Sequence, residues 1–260
     1  MRGHRLTAEE VARIDGWAAR HDVDCLYFLA DPNDAETAPL AAASGFRLVD
    51  VRITLERRTA TLAPGEAAAA ATPPPWLRVR PAAAADLPEL RRIARVSHQD
   101  SRFYYDPHFD RGRCDELYAI WIEKSCGDPA GVVLVAEVEL ASRSAAAAPA
   151  WRAAAVPTGR VAGYITAAAT PGGAGQIGLF AVAAAAQGRG VGGQLITAAF
   201  AWLAGRGADP VTVVTQGRNV RAQRIYQRFG MLTRSLEIWY HRWRAGDADG
   251  GARSRPREGS

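Results

Sequence analysis

The chain has 260 residues, 48% hydrophobic and 23% charged, an ordinary globular balance that excludes collagen, a long coiled coil and wholesale disorder. Its net charge of +5 rests on arginine, since Lys124 is the only lysine, and the arginines are interleaved with acids. A dispersed surplus of this kind suits a phosphate-bearing small molecule better than nucleic acid.

Cys25, Cys114 and Cys126 are odd in number and form no CxxC pair, so neither a disulfide scaffold nor a metal site is expected. The N-terminus leads into a polar stretch, and no apolar run reaches the ~18 residues of a membrane span. A cytoplasmic protein without a membrane span is expected.

Thr7–Arg20 reads as a helix, with Thr7 and Glu10 at capping-box spacing and Val11, Ile14, Trp17 and Ala18 on one face. Cys25–Ala30 is a short apolar strand, and Asp34–Ser44 a helix closed by Gly45. Phe46–Glu56 is a strand whose apolar phase changes at Asp50, which predicts a bulge. Residues 59–75 lack an apolar period and end in prolines, as a linker does.

A second unit starts at Trp76. Leu77–Arg80 is a strand, and Asp86 caps a helix carrying Leu87, Leu90, Ile93 and Ala94. A polar, aromatic loop spans Ser97–Asp110, then a helix spans Arg113–Ser125. Val132–Val138 and Val161–Ala168 are strands of a hairpin around the Ala/Pro-rich loop 141–158. Gln176–Val182 is a strand, Gly190–Leu203 a helix, Val211–Thr215 a strand, Asn219–Phe229 a helix closed by Gly230, and Leu236–Trp243 a last strand. The order implies a mixed α/β domain. Residues 246–260 read as a disordered tail.

An internal repeat is visible. Aligning Gly45 with Gly230 places Asp34 on Asn219, Leu40 on Ile225, Ala41 on Tyr226 and Leu55 on Tyr240. The early copy keeps the apolar frame and loses the polar residues, so it reads as a half-domain without chemistry of its own.

The informative run joins the strand ending at Val182 to the helix that follows. Gln187, Gly188, Arg189, Gly190, Val191, Gly192 and Gly193 form a glycine-rich turn at a helix start. Glycines let backbone N–H groups approach an anion, the helix dipole favours negative charge there, and Arg189 adds a cation. Gly188, Gly190 and Gly193 formally satisfy GxGxxG, but the next strand ends at Thr215 without the carboxylate of a dinucleotide site. No Gly-Lys-Ser/Thr follows, so the turn is not a P-loop.

Gln187, Gly190 and Gly192 meet the pattern Arg/Gln-x-x-Gly-x-Gly/Ala, and here the chain resembles the GCN5-related N-acetyltransferases (GNAT) from Trp76 to Trp243. The resemblance implies an acyl-CoA N-acyltransferase fold over 76–245, preceded by a partial, degenerate half-domain over 1–58. It implies acetyl-CoA as cosubstrate, its pyrophosphate on the amides of residues 187–193. The strand at Leu179–Val182 would splay from its neighbour, so that Phe180, Ala181 and Val182 meet the pantetheine arm. Asn219 would reach the pantetheine region besides capping its helix, and Tyr226 would be the acid for the CoA sulfur, although its stripe with Ala222, Ile225 and Phe229 also suits a core tyrosine.

Ser101–Asp106, the Leu117–Ser125 helix and the closing strand look more narrowly like the dTDP-fucosamine (dTDP-4-amino-4,6-dideoxygalactose) acetyltransferases. That likeness implies a nucleotide-sugar amine as acceptor, with Arg102, Tyr104 and Tyr105 suited to its base and diphosphate. Another amine (a protein N-terminus or an aminoglycoside) and a non-catalytic acyl-CoA-binding module stay open, as does a homodimer. No general base stands out. Gln176 sits where some relatives carry Glu, and His98, Asp106, His108 and Glu237 are reserves.

Overall fold

The computed structural model describes residues 5–58, 74–138 and 161–244. The linker but for its last two residues, the Ala/Pro-rich loop and the tail lie outside them.

Helix α1 (Ala8–Arg20) starts with the expected capping box: Thr7 Oγ1 accepts from the Glu10 amide at 3.2 Å, and the Thr7 amide donates to Glu10 Oε2 at 2.9 Å. Strand β1 (Cys25–Ala30) follows, then α2 (Thr37–Ala43), which starts later than the expected Asp34. The Asp34 carboxylate instead accepts from the Thr37 hydroxyl at 2.6 Å, a local bond that competes with helix. Strand β2 is Arg47–Arg57.

Beyond the gap come β3 (Leu77–Pro81) and α3 (Leu87–Ser97). The loop after α3 holds one short turn, α4 (Arg102–Tyr105), that the polar composition does not announce. Helix α5 (Arg111–Cys126) is capped by Asp110, which accepts from the Arg113 amide at 2.9 Å. Strands β4 (Gly131–Val138), β5 (Val161–Ala169) and β6 (Gly175–Val182) lead into α6 (Val191–Ala204), β7 (Val211–Gln216), α7 (Val220–Arg228) and β8 (Leu232–Trp243).

All eight strands form one mixed sheet, in the order β1-β8-β2-β7-β6-β5-β4-β3. β4 and β5 pair antiparallel, as a hairpin requires, and among the described residues only β6 and β7 are parallel neighbours. Helices α3 and α5 cover one face, with Leu90, Ile93, Tyr118 and Ile122 against Val133, Val135 and Tyr164. Helix α6 covers the other, with Leu195, Ile196, Ala199 and Leu203 against Leu134, Ile165, Ile177 and Val213. The alternation of Val133 and Leu134 between the two clusters is the period-2 pleat feeding both cores. Each such fully buried aliphatic side chain contributes about 1.5–3 kcal/mol.

The strands of residues 1–58 do not form a sheet of their own. β8 lies between β1 and β2, and β2 lies between β8 and β7. The pairing follows the internal repeat residue by residue. Under the Gly45–Gly230 alignment Leu48 corresponds to Thr233 and Leu55 to Tyr240, and both Leu48–Tyr240 and Leu55–Thr233 are pairs in the β2–β8 ladder. Phe28–Tyr240 in β1–β8 likewise maps onto Val213–Leu55 in β7–β2. The expected bulge is at Val49, matched by one at the equivalent Arg234. Arg52 and Glu237 face each other on the local two-fold axis, joined by an ion pair of 3.1 Å.

The helix ends repeat as well. Gly45 and Gly230 close α2 and α7 at φ +78° and +72°, and Arg242 and Arg57 donate to the last carbonyls, Ser44 and Phe229. Ala41 and Tyr226 are both buried at equivalent positions, as are Phe46 and Met231. The two copies have thus exchanged strands across a pseudo-two-fold axis.

This predicts the behaviour of a chain lacking residues 1–58. Removing an interior strand leaves β7 and β8 with open edges and Tyr240 without Phe28. The truncated chain is expected to aggregate or unfold non-cooperatively, measured by size-exclusion chromatography and urea titration. A monomeric, cooperatively folded product would show instead that residues 76–245 stand alone.

Candidate active site

The site begins where the only parallel pairing fails. β6 and β7 pair at Gly175–Val211, Gln176–Thr212 and Ile177–Val213, and then part. β7 stays with β2 to its end, where Gln216 faces Arg52. β6 is turned the other way by a bulge of its own, Gly178 and Leu179 standing opposite Thr166 of β5: the Leu179 amide donates to Thr166 Oγ1 at 2.8 Å, and a Cβ on Gly178 would lie 2.6 Å from that same oxygen. Only glycine fits there.

Beyond the bulge the ladder fixes which backbone groups face the gap. Ala183 donates to Ala162 at 2.8 Å, so by antiparallel alternation Ala181 exchanges bonds with Tyr164 while the Phe180 backbone and the Val182 N–H face away from β5, the Val182 carbonyl being taken by Gln187. Of the three residues expected along a pantetheine arm, Ala181 therefore has its backbone committed to β5. Leu179–Val182 does splay from its neighbour, as anticipated.

The glycine turn sits at the end of β6. Gly188 and Gly190 are left-handed, φ +76° and +81°, and a Cβ on either would meet nothing within 4 Å. Helix α6 starts at Val191 without a side-chain cap, and the amides of Val191, Gly192 and Gly193 find no acceptor among the described residues. An unfilled helix N-terminus with open glycine backbone fits a phosphate group. Gly192 serves packing too, since a Cβ there would come within 3.0 Å of the Phe180 ring.

Gln187 and Arg189 turn inward upon the loop. Gln187 Nε2 donates to Val182 O at 2.8 Å and its Oε1 accepts from Arg221 at 2.6 Å, so this side chain ties the turn to β6 and α7. Arg189 Nε donates to Ala185 O at 3.1 Å.

A cavity of roughly 600 Å³ opens at the gap, lined by Gly178–Phe180 on one side and Val214–Gln216 on the other. Helix α7 supplies Ala222 and Tyr226. Asn219 caps that helix by accepting from the Ala222 amide at 3.0 Å, and it also lines the cavity. Tyr226 is 4% exposed, its ring 6.1 Å from that of Phe180, and its hydroxyl makes no hydrogen bond among the described residues. Burial pushes its phenol well above the ordinary range, so it stays protonated.

The far end of the cavity holds residues that motif reading missed: Asp50 and Arg52 from the N-terminal repeat, with Trp121, Lys124 and Trp239. Asp50 is 2% exposed. Burial raises its carboxyl, and Arg218 at 3.7 Å opposes the rise. A carboxylate on a buried strand phase was the available signal, absorbed in the sequence by the bulge it marks.

The three side chains expected for the acceptor diverge. Arg102 enters the cavity, its guanidinium 4.0 Å from the Trp239 ring. Tyr104 turns into the protein, donating to Asp115 Oδ1 at 2.6 Å, and does not line the cavity. Tyr105 is 56% exposed and stacks under Arg218 at 3.5 Å, on the other side of Asp50's ion pair. Four residues in one helical turn cannot aim consecutive side chains at one point.

Among the reserve bases, only His98 lines the cavity, its Nε2 2.8 Å from the Tyr164 hydroxyl. Glu237 pairs with Arg52, and Asp106 accepts from His108, His241 and Trp243. Among the described residues no group of His, Cys, Asp and Glu is placed to hold a metal ion, and no helix is long and apolar enough to cross a membrane.

The acetyltransferase (GNAT) family model matches residues 86–231. The spore coat polysaccharide biosynthesis protein SpsD of Bacillus subtilis (strain 168) is 25% identical over 170 residues, which cover 65% of this chain and 52% of that protein. The chain spans about half the length of this relative. A GCN5-related N-acetyltransferase from Sphaerobacter thermophilus superposes over 90% of this chain and 67% of its own, with TM-score 0.62 and 16% identity. A conserved protein of unknown function from Staphylococcus epidermidis ATCC 12228 gives 0.63 at 12% identity, over 93% and 83% of the two chains. A tandem GNAT protein from the clavulanic acid biosynthesis pathway gives 0.59 at 16%, over 90% and 69%. These structures share the fold.

The buried imidazole sets a pH dependence of stability. Burial lowers His98 to about 4 from 6.5, so below pH 6.5 the unfolded chain binds a proton that the folded chain refuses. Stability is expected to fall from pH 6.5 towards 4, by about 3 kcal/mol from this group when fully developed. Urea titrations across that range test it, and His98→Gln should flatten the slope; an unchanged slope would place the titrating groups elsewhere.

Proposed function

The chain belongs to the acetyltransferase (GNAT) family, and we propose that it moves the acetyl group of acetyl-CoA to a primary amine by direct attack in a ternary complex. The observation that carries this reading is the pair of unmatched backbone sets beside the gap: the β6 edge at the Phe180 backbone and the Val182 N–H, and the uncapped amides at Val191–Gly193.

In this reading the amides of the glycine turn hold the pyrophosphate of acetyl-CoA, and the β6 edge receives the pantetheine arm as an added strand would be received. The Gln187 brace keeps the two at fixed spacing. The N–H of Phe180 or Val182 donates to the thioester carbonyl oxygen, whose charge grows as the amine attacks. The amine nitrogen bonds to the carbonyl carbon and the C–S bond breaks. The Tyr226 hydroxyl gives its proton to the departing thiolate, a role suited to a phenol that burial keeps protonated. The amine's own proton passes to water.

The acceptor that best suits the far end of the cavity is a nucleotide-linked amino-deoxysugar of the dTDP-4-amino-4,6-dideoxyhexose type. Arg52, Arg102 and Lys124 outnumber Asp50 and Asp100 there, and Trp121 and Trp239 offer flat apolar surface. A polycationic aminoglycoside would meet like charge. The polysaccharide biosynthesis named for the Bacillus relative supports a sugar acceptor.

A thiol-release assay with acetyl-CoA against dTDP-4-amino-sugars, peptides and aminoglycosides tests the reading. Turnover is expected with the amino-sugars. Tyr226→Phe should lower kcat by about 100-fold or more, with little change in KM for acetyl-CoA. Full turnover in that variant would remove the acid role, and absence of acetyl-CoA binding by calorimetry would remove the reading itself.

A further inference from the structure

A second cleft, roughly 430 Å³, lies on the other side of the Asp50–Arg218 ion pair from the cavity. It is walled by the bulge of β2, the end of β8, the segment after α4 and the turn between β7 and α7. Four arginines line it: Arg47, Arg218, Arg242 and Arg244. Its single carboxylate, Asp106, is buried and already accepts from His108, His241 and Trp243. Burial works against its ionisation, yet those three hydrogen bonds prevail and hold its carboxyl below the usual range, so it is a filled acceptor and leaves the arginines unopposed from within the cleft.

The arginines are not equally committed. Arg242 pairs with Asp15 and Ser44, and Arg244 with Asp22 and Asp24. Arg218 donates Nη2 to Val49 O at 2.7 Å and holds its ion pair with Asp50 at 3.7 Å through the same nitrogen. Arg47 is exposed and has no ion pair among the described residues. Arg47 and Arg218 come from the two repeats and meet at the β2 bulge. Beside them Tyr105 lies flat against Arg218 and keeps more than half its surface open. The cleft therefore combines one arginine without an ion pair among the described residues, a second that is only partly engaged, and an exposed aromatic face.

We propose that this cleft binds a nucleoside diphosphate group, its phosphates on Arg47 and Arg218 and its base on Tyr105, as the carrier end of the acceptor. The amine of that acceptor would then pass Asp50 into the cavity. The proposal deepens the acetyl-transfer reading and rests on it for the amine, but the phosphate site stands on the cleft alone. It also gives the N-terminal repeat a chemical task, since Arg47 and Asp50 both lie on β2.

Thymidine diphosphate, pyrophosphate and thymidine are the probes, titrated calorimetrically into the full chain with and without saturating acetyl-CoA. Thymidine diphosphate is expected to bind equally in both conditions, to weaken as salt rises, and to bind about tenfold tighter than pyrophosphate or thymidine. Arg47→Glu, an exposed change that spares the core, should weaken it by about 100-fold while acetyl-CoA affinity stays unchanged. Tyr105→Ala should remove the advantage over pyrophosphate. Unchanged affinity in Arg47→Glu, or competition between thymidine diphosphate and acetyl-CoA, would overturn the proposal; the latter would put the probe in the glycine turn. Loss of acetyl-CoA binding in the parent chain would count against acetyl transfer and leave the cleft to be judged by thymidine diphosphate alone.

Discussion

One strand cannot be paired on both sides and open at the same time, and the site follows from how the sheet resolves that conflict. β7 is parallel to β6 and antiparallel to β2, and it keeps β2. β6 is then held only by β5, through a bulge that needs glycine at 178 and a hydroxyl at 166. The backbone of Phe180 is left unmatched in a cavity that water can enter, which makes the opening tolerable, while the Val182 carbonyl is taken by Gln187. The same parting gives Tyr226 an outlet, because α7 packs over the place where the strands leave each other.

The hold of β2 on β7 is a property of the repeat. Two copies of helix, glycine cap and strand interlock so that each copy's last strand pairs with both strands of the other. The first copy has neither a glycine turn nor a tyrosine at the position equivalent to Tyr226, yet both its strands pair with the second copy. Ala41 stands where Tyr226 stands, and both are buried, but only the second copy has a β6 beside it to part from.

The sequence made the fold class and the glycine turn legible because both depend on local rules: apolar period, caps, and left-handed positions that favour glycine. The repeat was legible as an alignment, and its register in the sheet agrees with it pair by pair. The strand exchange was not legible, since an apolar strand reads the same whichever neighbour it takes. Asp50 and Arg52 were hidden for the same reason: their place in the site comes from a pairing more than a hundred residues away in the chain. Tyr104 and Tyr105 show the converse limit. Composition marked the segment as able to bind a nucleotide, but composition does not say which way each side chain of a single turn will point.

The charge around the far end of the cavity bears on how the reaction would manage without an evident base. An alkylammonium ion entering there would face Arg102, Lys124 and an Arg52 paired with Glu237, against Asp100 and an Asp50 already engaged with Arg218. Nearby positive charge favours the neutral form of an amine and lowers its pKa. His98, held neutral by burial, adds no charge of its own. In the proposed reaction the acceptor nitrogen would then enter with its lone pair free, and its remaining proton would be lost after attack, when the nitrogen has become strongly acidic. The proton transfer left for the protein to supply in that proposal is the one to sulfur, and Tyr226 is the buried phenol without a hydrogen bond among the described residues that lines the cavity.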